Sequence, residues 1–180
     1  LALGALEAED RRLALAFEQG GNRGGADFNR GLAYWVFEHN LVYEIFKAWL
    51  PVLEAHWEVQ YQESREKADL VIFEGGTPVA VIETKWWMNN HQKTLAALDA
   101  DVTKLRGWNR GTPLRVQLGF WYSRNSDEQW EQDISDVRKY CAGHGDGVVP
   151  FYAGRFVTDV AAFRESGGAY FAMVALAVNA

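Results

Sequence analysis

Two periods alternate along the chain. Apolar residues recur at three- and four-residue intervals in four stretches, and at alternate positions or in short unbroken runs in six others. Leu6, Leu13 and Phe17 predict a helix over 2–19. Trp35, Val42, Ile45, Trp49 and Val52 or Leu53 mark the inner face of a second, over 32–50, with Pro51 near its end. Leu95, Leu98, Val102 and Leu105 form the stripe of a third, over 94–107. Trp130, Ile134, Val137 and Cys141 form that of a fourth, over 127–141, where Ser126 and Gln129 are spaced as a capping box.

Between the helices, HWEVQYQE (56–63) alternates as a half-exposed strand should. KADLVIFEGG (67–76) and TPVAVIETKWW (77–87) read as two more strands around a Gly-Gly turn. Their short connections make these three antiparallel neighbours. LRVQLGFWYS (114–123), VVPFYAGRFV (148–157) and AYFAMVALAV (169–178) complete the set. From residue 32 the order is α-β-β-β-α-β, then a helix and two strands. That order predicts an α/β sandwich around a central mixed sheet flanked by helices. The glycines of GGNRGGADFNRG (20–31) interrupt the helical pattern. No strand precedes them and no Gly-Lys-Ser/Thr occurs, so a connector is expected there and not a phosphate cradle. It divides the chain into an N-terminal helical arm with its loop, 1–31, and a main domain, 32–180.

Composition narrows the classes. The 180 residues are 48% hydrophobic and 23% charged, a globular balance with enough length for one sizeable core. A net charge of −6 gives no global attraction to nucleic acid, which disfavours a coating protein but leaves room for an enzyme with a local basic groove. The single Cys141 excludes an intrachain disulfide and a cysteine-based zinc site, and points to a reducing, cytoplasmic setting. No apolar run approaches the ~20 residues of a membrane helix. LALGALEAEDRRLALAF carries acids and bases within its apolar part and does not read as a signal peptide.

The chemistry concentrates in PVAVIETKWWMNN, 78–90. Side chains alternate on a strand, so Val79, Val81, Glu83 and Lys85 share one face. Burying both charges would carry a desolvation cost of several kcal/mol each. A cleft at the strand's end reconciles the pattern: the early residues pack under a helix and the late ones line a polar hollow. A hairpin turning at 74–77 brings Asp69 roughly opposite Glu83 to Lys85. Two carboxylates that close repel, unless a cation lies between them or one is protonated. Oxygen ligands alone suit Mg2+, Mn2+ or Ca2+ better than zinc. A lysine beside such an ion can hold an attacking water or stabilise developing negative charge. Together these are the parts needed to hydrolyse a phosphate ester.

Asp69, thirteen residues and then Glu83-Thr84-Lys85 resembles the D…(D/E)-x-K signature of the PD-(D/E)XK, or restriction-endonuclease-like, nuclease superfamily. The α-β-β-β-α-β order over roughly 32–123 resembles its common core. Ala68 stands where the signature has proline, which many members also lack. The resemblance implies a metal-dependent DNA endonuclease using Mg2+ (or Mn2+) and leaving 5′-phosphates. Asp69, Glu83 and the Thr84 carbonyl would bind the ion, and Lys85 would orient and activate the water. A further carboxylate is expected from the first core helix. Glu38 and Glu44 are the candidates, and Glu38 is favoured because it shares the inward stripe with Leu41, Val42 and Ile45.

Lys93, Lys104, Arg106 and Arg110, with Arg115 and Arg124, form the densest basic region in an acidic chain. Backbone phosphates would bind there. Asp101 and Lys104 read equally well as an i,i+3 surface pair. The five acids of 127–136 should face away from DNA. Trp86, Trp87 and Trp108 stack on bases or fill the core, and His91 lies in a polar turn at the mouth of the site. Many such enzymes are homodimers, and the hairpin or the C-terminal strand is a surface where copies could pair. Two other readings remain: a nuclease-like module that binds nucleic acid or regulates without catalysis, and an unrelated α/β hydrolase or scaffold.

Overall fold

Gly75 and Gly76, at φ 57° and 79°, close a two-residue turn between β2 (Lys67–Glu74) and β3 (Thr77–Trp86). Positive φ at both central positions gives a hairpin turn whose twist matches that of its strands. The turn pairs Glu74 with Thr77 and Phe73 with Pro78; a bulge at Val79 then shifts the register by one residue, so that Val71 pairs with Val81 and Leu70 with Ile82. The computed structural model describes residues 1–19, 38–62, 65–87 and 92–180. The connector at 20–31, Trp35 and His91 fall outside them.

Strand β1 (Glu54–Gln60) pairs antiparallel with β2, β2 antiparallel with β3, and β3 parallel with β4 (Leu114–Arg124). Strand β6 (Ala169–Val178) lies antiparallel between β4 and β5 (Val148–Thr158). The result is one mixed six-stranded sheet in the order β1-β2-β3-β4-β6-β5. Because β6 is paired on both sides, the C-terminal strand offers no edge to a second copy. The described edges belong to β1 and β5.

Among the described residues four α-helices cover the sheet: α1 (Ala2–Gln19), α2 (Glu38–Trp49), α3 (Gln92–Arg106) and α4 (Asp127–Gly143). On one face Ala2 and Leu6 of α1 and Leu41, Val42 and Ile45 of α2 pack on Leu70, Ile82, Val116 and Phe171. On the other, Leu98, Val102 and Leu105 of α3 and Val137 and Cys141 of α4 pack on Val71, Val81, Trp121 and Val174. The α/β sandwich with a central mixed sheet is therefore present. No helix among the described residues is long and apolar enough to cross a membrane.

Several details depart from expectation. Val52 is 63% exposed and Leu53 also faces solvent, because α2 ends at Trp49 and the chain turns through Pro51. Strand β1 begins two residues earlier than expected and stops at Gln60; Tyr61 N donates to Glu66 O in a turn instead of continuing the ladder. In α4, Ser126 Oγ accepts from Gln129 N as a cap should, but the Gln129 amide turns to Asp133 Oδ1 (2.6 Å). Along β3 the expected gradient is reversed. Val79 is 40% exposed, and burial runs from Val81 to Thr84. The charged end, not the apolar beginning, is the interior part.

Candidate active site

Strand β3 carries its charges to the carboxyl end, where it runs beside β4. Alternation sets Glu83 and Lys85 on the α3 face with Val81. One register step beyond the Leu70–Ile82 pair sets Asp69 opposite Glu83. Beside Asp69 the β1–β2 ladder skips from Trp57–Leu70 to Val59–Ala68, and the intervening Glu58 has φ 52°. Left-handed backbone costs a non-glycine residue about 1–2 kcal/mol. The kink thus lies directly beside the predicted ligand.

Each acid is held by specific donors. Asp69 Oδ2 accepts both Thr84 N and Thr84 Oγ1, at 2.7 Å each. Glu83 is 2% exposed; its Oε1 accepts the Tyr61 hydroxyl at 2.8 Å and its Oε2 meets Lys104 Nζ at 2.8 Å. Glu38, the first described residue of α2, reaches the end of β3 from the opposite layer. Its Oε1 lies 3.0 Å from Lys85 Nζ and its Oε2 accepts Trp86 N at 2.8 Å. Helix α3 adds Asp101, whose Oδ2 lies 3.6 Å from Lys85 Nζ and whose Oδ1 lies 3.9 Å from Lys104 Nζ.

This packing controls protonation. Burial, then the charge of Asp69, pushes the Glu83 carboxyl up to about 7, although Lys104 and Tyr61 favour its ionised form. Burial likewise raises Asp101 to about 6 against the pull of Lys85 and Lys104. For Lys85 burial opposes the charge, but the Glu38 bond and the charges of Asp101 and Asp69 outweigh it, so its pKa is raised. Lys104 is raised in the same way, burial being outweighed by Glu83 and Asp101. Burial and the neighbouring Glu83 keep the Tyr61 hydroxyl protonated.

The structure thus brings Glu38, Asp69, Glu83 and Lys85 together with Thr84. Glu44 pairs instead with Lys47 (2.7 Å). Of the residues expected to contact phosphates, Lys104 is turned into the site, where it meets Glu83. Arg106 Nε donates to Asn179 O (3.2 Å) at the end of β6, and the Arg110 guanidinium lies 5.8 Å from the Trp108 ring. Lys93 is exposed on α3. Trp87 and Trp108 are core residues, and Trp86 is half-buried against Tyr122 and Phe171.

Three participants were not assigned to the site from sequence. Asp101 stands three residues after Leu98 and four before Leu105, so it is in phase with the buried stripe; an acid there was the available signal. Tyr61 carried no signal, because it leaves its strand before reaching Glu83. Gln117, fully buried, pairs in register with Glu83 and donates to Leu98 O (2.9 Å), while its Oε1 has no hydrogen-bond partner.

Chemically the site offers carboxylate oxygens and two ammonium groups, with no sulfur or imidazole donor among the described residues that line it. No described group of three or more His, Cys, Asp or Glu side chains is arranged to hold a metal ion; the acids face lysine, hydroxyl or backbone donors. No protein-family model, curated protein or solved structure matches the chain.

Proposed function

We propose that this chain hydrolyses phosphodiester bonds in DNA with a divalent ion, Mg2+ or Mn2+, as an endonuclease or the catalytic domain of one. The observation that carries the reading is the meeting of Glu38, Asp69, Glu83 and Lys85, drawn from α2, β2 and β3, at the carboxyl end of β3. The β1-β2-β3 meander, the crossover through α3 and the parallel β3–β4 pair support a likeness to the PD-(D/E)XK core. In open α/β sheets, the carboxyl ends of strands are also where ligands bind.

The donor set suits a hard cation, being oxygen only. Asp69 accepts two hydrogen bonds on Oδ2, and Asp101 Oδ2 is buried with the Lys85 ammonium 3.6 Å away. Asp69, Glu83 and Glu38, with the Thr84 carbonyl, would hold the ion. When bound, such an ion polarises the phosphoryl oxygen and supplies a nucleophile at neutral pH. Thr84 fixes the Asp69 carboxylate through two donors. Tyr61 fixes Glu83 while keeping its own proton. Lys85, kept charged by Glu38 and Asp101, acts as a donor: it orients the attacking water and stabilises negative charge at phosphorus.

Nicking of supercoiled plasmid and of single-stranded DNA with Mg2+ or Mn2+ tests the reading. Lys85→Ala and Asp69→Asn should each slow cutting by about 10²–10³-fold, as loss of a transition-state partner does. Equal cutting by wild type and both variants refutes the mechanism. A second reading, a nuclease-like module that binds or regulates without catalysis, draws on the engagement of Glu38 and Glu83 with lysines. Calorimetry separates the two: such a module takes up no Mn2+, whereas the enzyme binds it through Asp69 and Glu83.

A further inference from the structure

Lys104 is the cation on Glu83. Its Nζ lies 2.8 Å from Oε2 and its side chain is 24% exposed, so the pair is largely withdrawn from water. The other oxygen of Glu83 accepts the Tyr61 hydroxyl. A carboxylate this buried, with both oxygens engaged, cannot accept a divalent ion while keeping Lys104 in place. Two cations on one carboxylate repel, and in a water-poor setting that repulsion is weakly screened.

A destination for the displaced ammonium is built beside it. Asp101, one helical turn earlier on α3, is 6% exposed, and its Oδ2 makes no hydrogen bond, the Lys85 ammonium standing off at 3.6 Å. Its Oδ1 already lies 3.9 Å from Lys104 Nζ. A pocket of about 430 Å³, lined by Tyr61, Gln62, Glu66, Ala100, Thr103 and Gly107, opens along Lys104 and gives the stem room to move. Charge balance agrees. With all groups ionised, Glu38, Asp69, Glu83 and Asp101 against Lys85 and Lys104 leave two negative charges, which one divalent ion neutralises with both lysines kept inside the cluster, Lys104 having moved only from Glu83 to Asp101.

We propose that Lys104 is a built-in competitor for Glu83: a divalent ion binds by displacing it, and Asp101 receives the displaced ammonium. The inference rests on the reading of Glu83 as a metal ligand. Lys104 and Asp101 are positioning residues in this scheme and touch neither ion nor substrate.

The test is calorimetric titration of Mn2+ into the full chain, with circular dichroism confirming the fold of each variant. Lys104→Gln should bind Mn2+ about tenfold more tightly than wild type, and Asp101→Asn about tenfold more weakly. If Asp101 acts by receiving Lys104, its substitution should matter at least about threefold less in the Lys104→Gln background. Independent addition of the two effects overturns the proposal. So does Lys104→Gln binding no more tightly than wild type. Lys104→Arg keeps the charge and grips the carboxylate with two donors, so it should bind Mn2+ more weakly; tighter binding would also overturn the scheme. Glu83→Gln separates the two levels of inference. If wild type takes up no Mn2+, or if Glu83→Gln leaves uptake unchanged, the metal reading fails and the exchange with it. If Glu83→Gln abolishes uptake but Lys104→Gln leaves it unchanged, only the exchange fails.

Discussion

Glu83 combines burial with two charged neighbours, Asp69 and Lys104, so its proton is where the site meets stability. Its folded pKa of about 7 lies above the ordinary 4.5, so between those values the folded state holds a proton that the unfolded state has released. Stability from this group is complete below the ordinary pKa and is lost as pH rises toward about 7. Asp101 acts in the same direction between 3.8 and about 6. The urea midpoint of wild type should carry this loss between about pH 5 and about pH 7.5, and Glu83→Gln should show a smaller fall. An unchanged difference would mean that Glu83 titrates as an ordinary carboxylate. The charged triad of the motif was readable because Glu83 and Lys85 interrupt an apolar strand, and Glu38 was favoured over Glu44 by helical phase. The inward turn of Lys104 was not legible, because i,i+3 spacing to Asp101 is compatible with either a surface pair or an inward one.

Elements hold these residues in place through close packing. Gly119 of β4 lies opposite Lys85, and a Cβ there would stand 2.8 Å from Trp87 Cε3 and 3.0 Å from Val174 Cγ1. Gly119 therefore makes the space into which Trp87 folds just past the end of β3. Gly119→Ala should cost about 1–3 kcal/mol by overpacking, read as a lower denaturant midpoint. It should also change the tryptophan emission, since Trp87 must move. Element boundaries were legible where one face is uniformly apolar: β6 spans the predicted 169–178, and the Leu98–Val102–Leu105 stripe of α3 is buried. They were less legible where the chain leaves a ladder. Tyr61 departs from β1 into a turn whose partner, Glu66, is set by the β1–β2 connection and not by alternation.

At the scale of the molecule, one sheet separates two cores and a buried carboxylate ties one outer layer to it. Asp133 of α4, sequence-wise one acid in a polar stretch, accepts Trp121 Nε1 at 2.7 Å and the Tyr170 hydroxyl at 2.6 Å. It thereby joins α4 to β4 and β6. Asp133→Ala strands two buried donors at about 1–3 kcal/mol each. Far-UV circular dichroism and tryptophan fluorescence should then report one earlier, coincident unfolding transition. Separate transitions would show that the two layers unfold independently.

The sequence by itself determined the alternation of helices and strands, the antiparallel hairpin, and the approach of Asp69 to Glu83 and Lys85. Local periodicity and a Gly-Gly turn suited to a two-residue hairpin are enough to bring those strands together, while the bulge at Val79 sets the final register. Only the tertiary structure decided that Tyr61, Asp101 and Lys104 belong to the same cluster, that Glu38 reaches the end of β3 from the other layer, and that β6 lies inside the sheet. These are contacts between segments far apart in the chain, and their partners are selected by packing and by the need to satisfy buried charge, which no local pattern encodes.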